Sequence, residues 1–466
     1  MLIDRIRLGE SLNFRQQLRL TAQLSWPAML AQLSSIMMQY IDAAMVGHLG
    51  ADESASVGLV STSLWLFWGI CSAVTMGFSV QVAHSIGASD HSRARRILRQ
   101  GITSCILFSL IVTAIGAAIA IPLPVWLGGG SPDVCSGASL YFMVFVLGLP
   151  LFTMNYLAGG MLRCSGNMKV PGILNVMMCI LDVIFNFFLI FPTRELSLGG
   201  ISIMMPGAGL GVLGAALGTV GAEAVTATIM MWWVCCKQDG LAIWREKGSF
   251  RPTSDVLRKA LRVSAPMTLE HVVICGAQIA VTVIVAPLGV MAIAANAFAV
   301  TAESICYMPG YGISEAATTL TGQSYGAGRL DLAKRFGYIT VGLGILLMSV
   351  MGVVMYVFAE DVMAVMSPVS DIVHLGAESL RIEAFAEPMF AASIVAYGVM
   401  IGVGDTILPA VMNFGSIWLV RVPLAAILAP SMGLSGVWLA MCIELTFRGV
   451  IFLWRLISGA WLRKVI

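Results

Sequence analysis

The chain has 466 residues, 58% of them hydrophobic and 11% charged, whereas a soluble domain carries about 25% charged residues. A mean hydropathy of +0.89 excludes an ordinary soluble protein and leaves a polytopic α-helical membrane protein. The net charge of +2 is scattered over many loops, so no nucleic-acid partner is expected.

Residues 1–20 carry Arg5, Arg7, Arg15 and Arg19 with no apolar core between them. They do not resemble a cleavable signal peptide and read as an interfacial amphipathic segment on the cytoplasmic side. Twelve spans of about 20–30 residues follow, at 17–46, 53–83, 94–121, 136–162, 170–192, 209–236, 256–286, 291–321, 329–358, 373–401, 406–429 and 433–460. The expected layout is an N-terminal segment over 1–16, a six-helix lobe over 17–236, an inter-lobe loop over 237–255, a second six-helix lobe over 256–460 and a tail over 461–466. Segment 193–210, with its glycines, prolines and alternating apolar residues, is the longest outer connection and fits a hairpin or cap.

Lys and Arg set the orientation. Arg93, Arg95, Arg96 and Arg99, Arg163 and Lys169, the cluster from Lys237 to Arg262, and Arg329, Lys334 and Arg335 all fall on the side of the termini, and only Arg194 lies opposite. The positive-inside rule then places both termini in the cytoplasm of a cell whose inner membrane the chain spans.

The halves repeat. At one constant offset Ser25–Pro27 returns as Ser264–Pro266, Val46–Gly50 as Val285–Gly289, and Ser85–Ala88 as Ser324–Ala327. Pro150, Gly166, Pro171 and Asn175 recur at nearly the same offset as Pro388, Gly404, Pro409 and Asn413. Six helices per half put both halves on the same footing, so the repeat is parallel, about a pseudo-two-fold along the membrane normal. Two such lobes across a cleft suit a rocking transporter.

Asp42 is the only acid between Gln17 and Val46. A charge near the bilayer centre costs about 2.5–3.5 kcal/mol on insertion scales and is usually retained for use, although a shallow or structurally paired carboxylate is the alternative. In the fifth span Asn175, Asp182 and Asn186 share one helical face. Their oxygens suit a proton or a hard cation; polar helix–helix glue is the competing reading. Asn155 in the preceding span is a further oxygen donor. In the second half Asp42 and Asp182 become Val281 and Val420. The candidates there are Glu270, beside His271 or else paired with Arg262, and Glu303, just before the Met308–Gly310 kink. Glu383 and Glu387 lie one turn apart and repel, with Arg381 placed to offset them, while Glu444 with Arg448 and Arg421 reads as a structural ion pair.

Ten cysteines form no ligand pattern and act as small hydrophobes, with Cys135 alone expected to be exposed. Twenty-nine methionines mostly face lipid or pack, and those in a cleft suit diverse apolar ligands. Gly209-x-Gly211-x-x-Gly214 matches a dinucleotide fingerprint but opens a membrane helix rather than following a strand. No catalytic motif appears, so neither an enzyme nor a cofactor is expected.

Asp42–Gly50, Gly322–Gln–Ser–Tyr–Gly–Ala–Gly328, and Gly166–Pro171 with its repeat Gly404–Pro409 together resemble the multidrug and toxic compound extrusion (MATE) family over residues 17–460. The resemblance implies export of organic, cationic and amphipathic drugs or metabolites by a monomer, in exchange for inward H⁺ or Na⁺, through a V-shaped pair of six-helix lobes. It also implies that the first lobe holds the coupling ion, at Asp42, Asp182, Asn186 and Asn155, with Thr219 as a hydroxyl ligand. If sodium is the ion, Asp182 and Asn186 ligate it; acid and amide stand exchanged relative to archaeal members. A flippase for a lipid-linked saccharide is the alternative, and only Arg381 and Arg421 within the spans offer it a cationic cavity.

Overall fold

A computed structural model describes residues 2–129, 131–198 and 201–463. The first lobe is built from α1 Phe14–Gly47, α2 Ala51–Gly87, α3 His91–Ile119, α4 Pro132–Cys164, α5 Lys169–Ile190 and α6 Val212–Lys237. The second comprises α7 Ser254–Leu288, α8 Val290–Gly326, α9 Leu330–Val357, α10 (Ser370–Ala384 and Glu387–Gly402), α11 Ile407–Met432 and α12 Leu434–Ser458. Ten of these are long and apolar enough to cross a membrane, and the two pieces of α10 make an eleventh as a bent pair. α1 is long enough at 34 residues but carries Gln16, Gln17, Gln23, Gln32 and Gln39 along its length, which lowers its hydropathy below that of the others. Of the expected tail, residues 464–466 lie outside the described residues, and Trp461 packs against the second lobe.

Local chemistry sets the helix starts. Asn13 and Gln16 form a reciprocal capping box at α1. Asp90 caps α3 by accepting from the Arg93 amide at 2.9 Å. Ser131 caps α4, with Pro132 as its first residue. That early start takes Cys135 into the first turn, half-buried; Cys236, in the last turn of α6, is the exposed cysteine. The repeat extends to backbone dihedrals: Gly50 and Gly289, Ser89 and Gly328, and Gly166 and Gly404 all have positive φ at equivalent joints.

One expected span departs from a continuous helix, and the segment after α5 takes the expected hairpin form. The tenth is broken, its halves bent by 60°. Pro388, which lacks an amide hydrogen and whose ring opposes the Ala384 carbonyl, stands at this break. Glu383 and Glu387 therefore sit on separate helices rather than one turn apart. The outer segment forms an antiparallel hairpin, β1 Pro192–Leu198 and β2 Ile201–Ala208, whose tip at 199–200 lies outside the described residues. Arg194 stacks on Phe187 and Phe191, 4.6 and 4.0 Å from the ring centroids.

The lobes meet through α1 and α2 against α7 and α8, most tightly near the end bearing the termini. Gln323 donates to the Cys164 carbonyl at 2.7 Å, Gln81 to Val256 at 3.1 Å and Ser264 to Val74 at 3.1 Å, and His84 contacts the Gly402 carbonyl at 2.8 Å. Glycine makes this approach possible: a Cβ on Gly77 would lie 2.4 Å from the Ala260 carbonyl oxygen. The short helix Asp4–Arg7 clasps the same end. Ile3, Ile6 and Leu12 are buried against residues of both lobes, Arg7 donates to the Ser165 carbonyl at 3.0 Å, and Arg329 donates to the Glu10 carbonyl at 2.7 Å. Towards the opposite end, Gly69 abuts His271, and one turn further Trp65 is half exposed on a cavity wall.

The inter-lobe connector is a strap lying on α3. Arg95 pairs with Glu246 at 2.7 Å, Arg99 donates to the Ile243 carbonyl at 2.8 Å, and the Thr253 amide donates to Gln100 at 3.1 Å.

Candidate functional site

The first lobe encloses a cavity of about 410 Å³ between α1, α2, α4, α5 and α6. Asp42, Asn155, Asn175 and Thr219 line it, among walls that include Trp65 and Trp68. Asp182 and Asn186 lie immediately behind, both fully buried. The Asn186 side-chain amide donates to Asp42 Oδ1 at 2.8 Å and to Asp182 Oδ2 at 3.1 Å. One amide thus holds carboxyl groups from α1 and α5. The seven- and four-residue spacing along α5 points all three of its polar residues inward, as a 3.6-residue period requires.

Small residues on α6 make room for this bridge. A Cβ on Gly218 would lie 2.0 Å from Asn186 Oδ1, so α6 could not pack there with a larger residue. Thr219 donates to the Ala215 carbonyl one turn back, at 3.2 Å. Asp182 Oδ1, Asn186 Oδ1 and Asn155 Oδ1 are buried without a hydrogen-bond partner. Buried polar atoms are rarely left so, and these oxygens fit what a proton or a hard cation requires.

A third acid escaped the sequence reading. Glu223 on α6 is buried, lines the same cavity, and accepts from Asn155 Nδ2 at 2.6 Å. The available signal was its position one turn after Thr219 in an otherwise apolar helix. Glu315 on α8, one of the second half's acids, has no role that the sequence alone assigns. It faces Arg163 of α4 at 3.6 Å and accepts from Gln32 of α1 at 3.3 Å. Arg163 and Glu315 line both the first cavity and a smaller one of about 250 Å³ in the second lobe, so this pair joins the lobes at the partition between the two.

Glu270 lines that smaller cavity beside His271, Tyr311 and Arg448. Its carboxylate accepts from Tyr397 and Asn413 and does not meet Arg262, which is exposed. Glu303 is apart from it, buried with Glu383 and Glu387 as electrostatic neighbours. All four carboxyl oxygens of Glu383 and Glu387 lack a hydrogen-bond partner. Arg381 does not offset them, because it pairs with Glu360 at 3.0 Å. Glu444 is clamped by Arg421 at 2.8 Å and Arg448 at 2.7 Å, as expected of a structural pair. With both Arg381 and Arg421 engaged by carboxylates, the cationic cavity that the flippase alternative needs is not formed by them.

Comparison with known proteins adds a family relationship. The MatE family model matches residues 27–188 and 266–427, one match in each lobe. A "Probable multidrug resistance protein NorM" from Thermotoga maritima is 26% identical over 450 residues, spanning 95% of this chain and 93% of that protein. The multidrug resistance protein MdtK of Yersinia pestis is 25% identical over 457 residues, 95% of this chain and 94% of its own. Among solved structures, the MATE transporter VcmN of Vibrio cholerae superposes with a TM-score of 0.86 at 18% identity, covering 97% of this chain and 99% of that one. A MOP superfamily transporter from Pyrococcus furiosus gives 0.86 at 19% identity, over 96% and 97%. At these identities the structural likeness is one of fold.

Proposed function

The chain belongs to the MatE family, and from that premise we propose that it is a cation-coupled antiporter of the inner membrane, termini inside, exporting organic, cationic and amphipathic compounds. The observation that carries this reading is the Asn186 amide shared by the carboxyl groups of Asp42 and Asp182. Two such groups repel as anions, and one proton or sodium ion relieves the repulsion. The partnerless oxygens of Asp182 and Asn186 support the same assignment.

In the proposed cycle the ion enters from outside while the inner end is shut by the hydrogen bonds among Gln323, His84, Gln81 and Ser264. Asp42 reaches the site from α1 and Asp182 from α5, so ion uptake alters the attraction between these two helices. The cavity between them changes shape and its affinity for substrate falls. Before that step, Trp65 and Trp68 offer aromatic faces to an organic cation, and Asp42 and Glu223 offer negative charge. Substrate leaves outward. Return to the inward state separates Arg163 from Glu315 and releases the ion.

Purified protein in proteoliposomes, with sodium and proton gradients imposed independently, tests the reading. Export of an organic cation should follow one gradient and be lost on Asp42→Asn. Export driven by neither gradient, or undiminished in Asp42→Asn, refutes it.

A further inference from the structure

A cavity of about 920 Å³ lies outside the transport site, at the end bearing the termini. The Asp4–Arg7 helix, the start of α1, the α4–α5 turn and the end of α6 enclose it. Four cations line it: Arg7, Arg19, Lys169 and Lys237. Of the two acids on the wall, Asp4 pairs with Arg7 at 3.4 Å and Asp239 with Arg245, which is not part of the wall, at 3.2 Å, so three of the four cations are left without an acid. Among the described residues Arg19, Lys169 and Lys237 form no ion pair, and Arg7 Nε is buried without a partner. Such a concentration of positive charge between helices repels itself unless an anion enters.

The rest of the wall is apolar. Ile3, Leu20 and Leu24, each less than 10% exposed, and the ring of Trp233 face the same space. A basic pocket beside apolar surface at a membrane interface matches a phosphate linked to acyl chains better than a small free anion. We propose that this cavity binds the phosphate headgroup of an anionic phospholipid, with Arg7, Arg19, Lys169 and Lys237 around the phosphate and Leu20, Leu24 and Trp233 beside the glycerol and first acyl carbons. Because Arg7 also holds the Ser165 carbonyl, the bound lipid steadies the N-terminal clasp across the lobes. Which leaflet supplies the lipid depends on the orientation proposed above; the headgroup chemistry does not.

Native mass spectrometry of the full-length protein, exchanged into micelles containing phosphatidylglycerol or phosphatidylcholine, tests this. The wild type should retain phosphatidylglycerol in preference. The doubly substituted Lys169→Ala/Lys237→Ala protein, altered only at exposed side chains, should lose that preference by about tenfold. Lys247→Ala, on the connector, should leave it unchanged. Equal retention of both lipids, an undiminished preference in the double variant, or an equal loss in Lys247→Ala overturns the site. Displacement of the lipid by millimolar inorganic phosphate overturns the lipid assignment in favour of a free anion. Labelling of a cysteine placed at the N-terminus, from either side of sealed vesicles, reports the orientation separately.

Discussion

The two lobes share a backbone plan and differ in what they bury. Equivalent joints have the same unusual dihedrals, yet Pro150 rides inside the continuous α4 while its counterpart Pro388 stands at the 60° break in α10. In the first lobe, Asp42, Asp182 and Asn186 meet at an accessible cavity with oxygens still unsatisfied. In the second, Glu444 is neutralised by two arginines and Glu270 is occupied by Tyr397 and Asn413. Three more of its acids, Glu303, Glu383 and Glu387, are buried in the interior. Duplication therefore accounts for the scaffold, while the placement of polar groups differs: the unsatisfied oxygens of the first lobe adjoin a cavity, and those of Glu383 and Glu387 in the second line neither of the two cavities.

The largest effect that would sharpen this contrast concerns Glu444. Glu444→Gln removes the fully buried counter-charge of the part-buried Arg421 and Arg448, and removing one partner of a buried pair costs about 3–5 kcal/mol. A pronounced loss of thermal stability in detergent should result. A variant as stable as the wild type would mean that the second-lobe charges are not structural.

Asp42→Asn is the converse test. The side chain keeps its shape and a hydrogen-bonding oxygen, so folding should be spared, while ion-driven export should fall by about a hundredfold, or about 2.7 kcal/mol. Melting temperature and transport rate are the paired measurements. Loss of both together would erase the distinction between a working lobe and a structural one.

Glu315→Gln probes the seam. Weakening the pair with Arg163, at 3.6 Å and partly exposed, should cost about 0.2–1 kcal/mol and shift the balance between open and closed inner ends. A spin-label pair across that end should show a larger inward-open population, and an unchanged distance distribution would remove Glu315 from the gate.

What was readable beforehand follows the range of the interactions. The helix limits came from hydropathy and agree with the structure to within a few residues at most ends, and the face shared by Asn175, Asp182 and Asn186 came from local periodicity. The Arg163–Glu315 pair has no local signature, because its members are brought together only when the lobes dock. Glu223 leaves little trace in the sequence because its Gly and Ala neighbours give α6 little polar pattern, whereas its partner Asn155 belongs to another helix. The break at Pro388 could not be inferred from proline alone, since Pro150 at the equivalent place leaves its helix intact.

The smallest expected effect concerns the strap joining the lobes. Arg95 and Ser92 hold the exposed Glu246 carboxyl below the usual carboxylate range. A lowered value in the folded state means the contact contributes above the ordinary glutamate pKa of about 4.3 and is lost as the pH falls through the lower folded value. Glu246→Gln removes that dependence. Amide exchange over residues 243–253, corrected for its intrinsic pH dependence, should show protection in the wild type that declines in acid, and weaker, pH-independent protection in the variant. Export should be nearly unchanged at neutral pH, because Arg99 still holds the Ile243 carbonyl and Gln100 the Thr253 amide. A strong transport defect in Glu246→Gln would show instead that the connector governs how the lobes move, and the contrast between them would then have to include the segment that joins them.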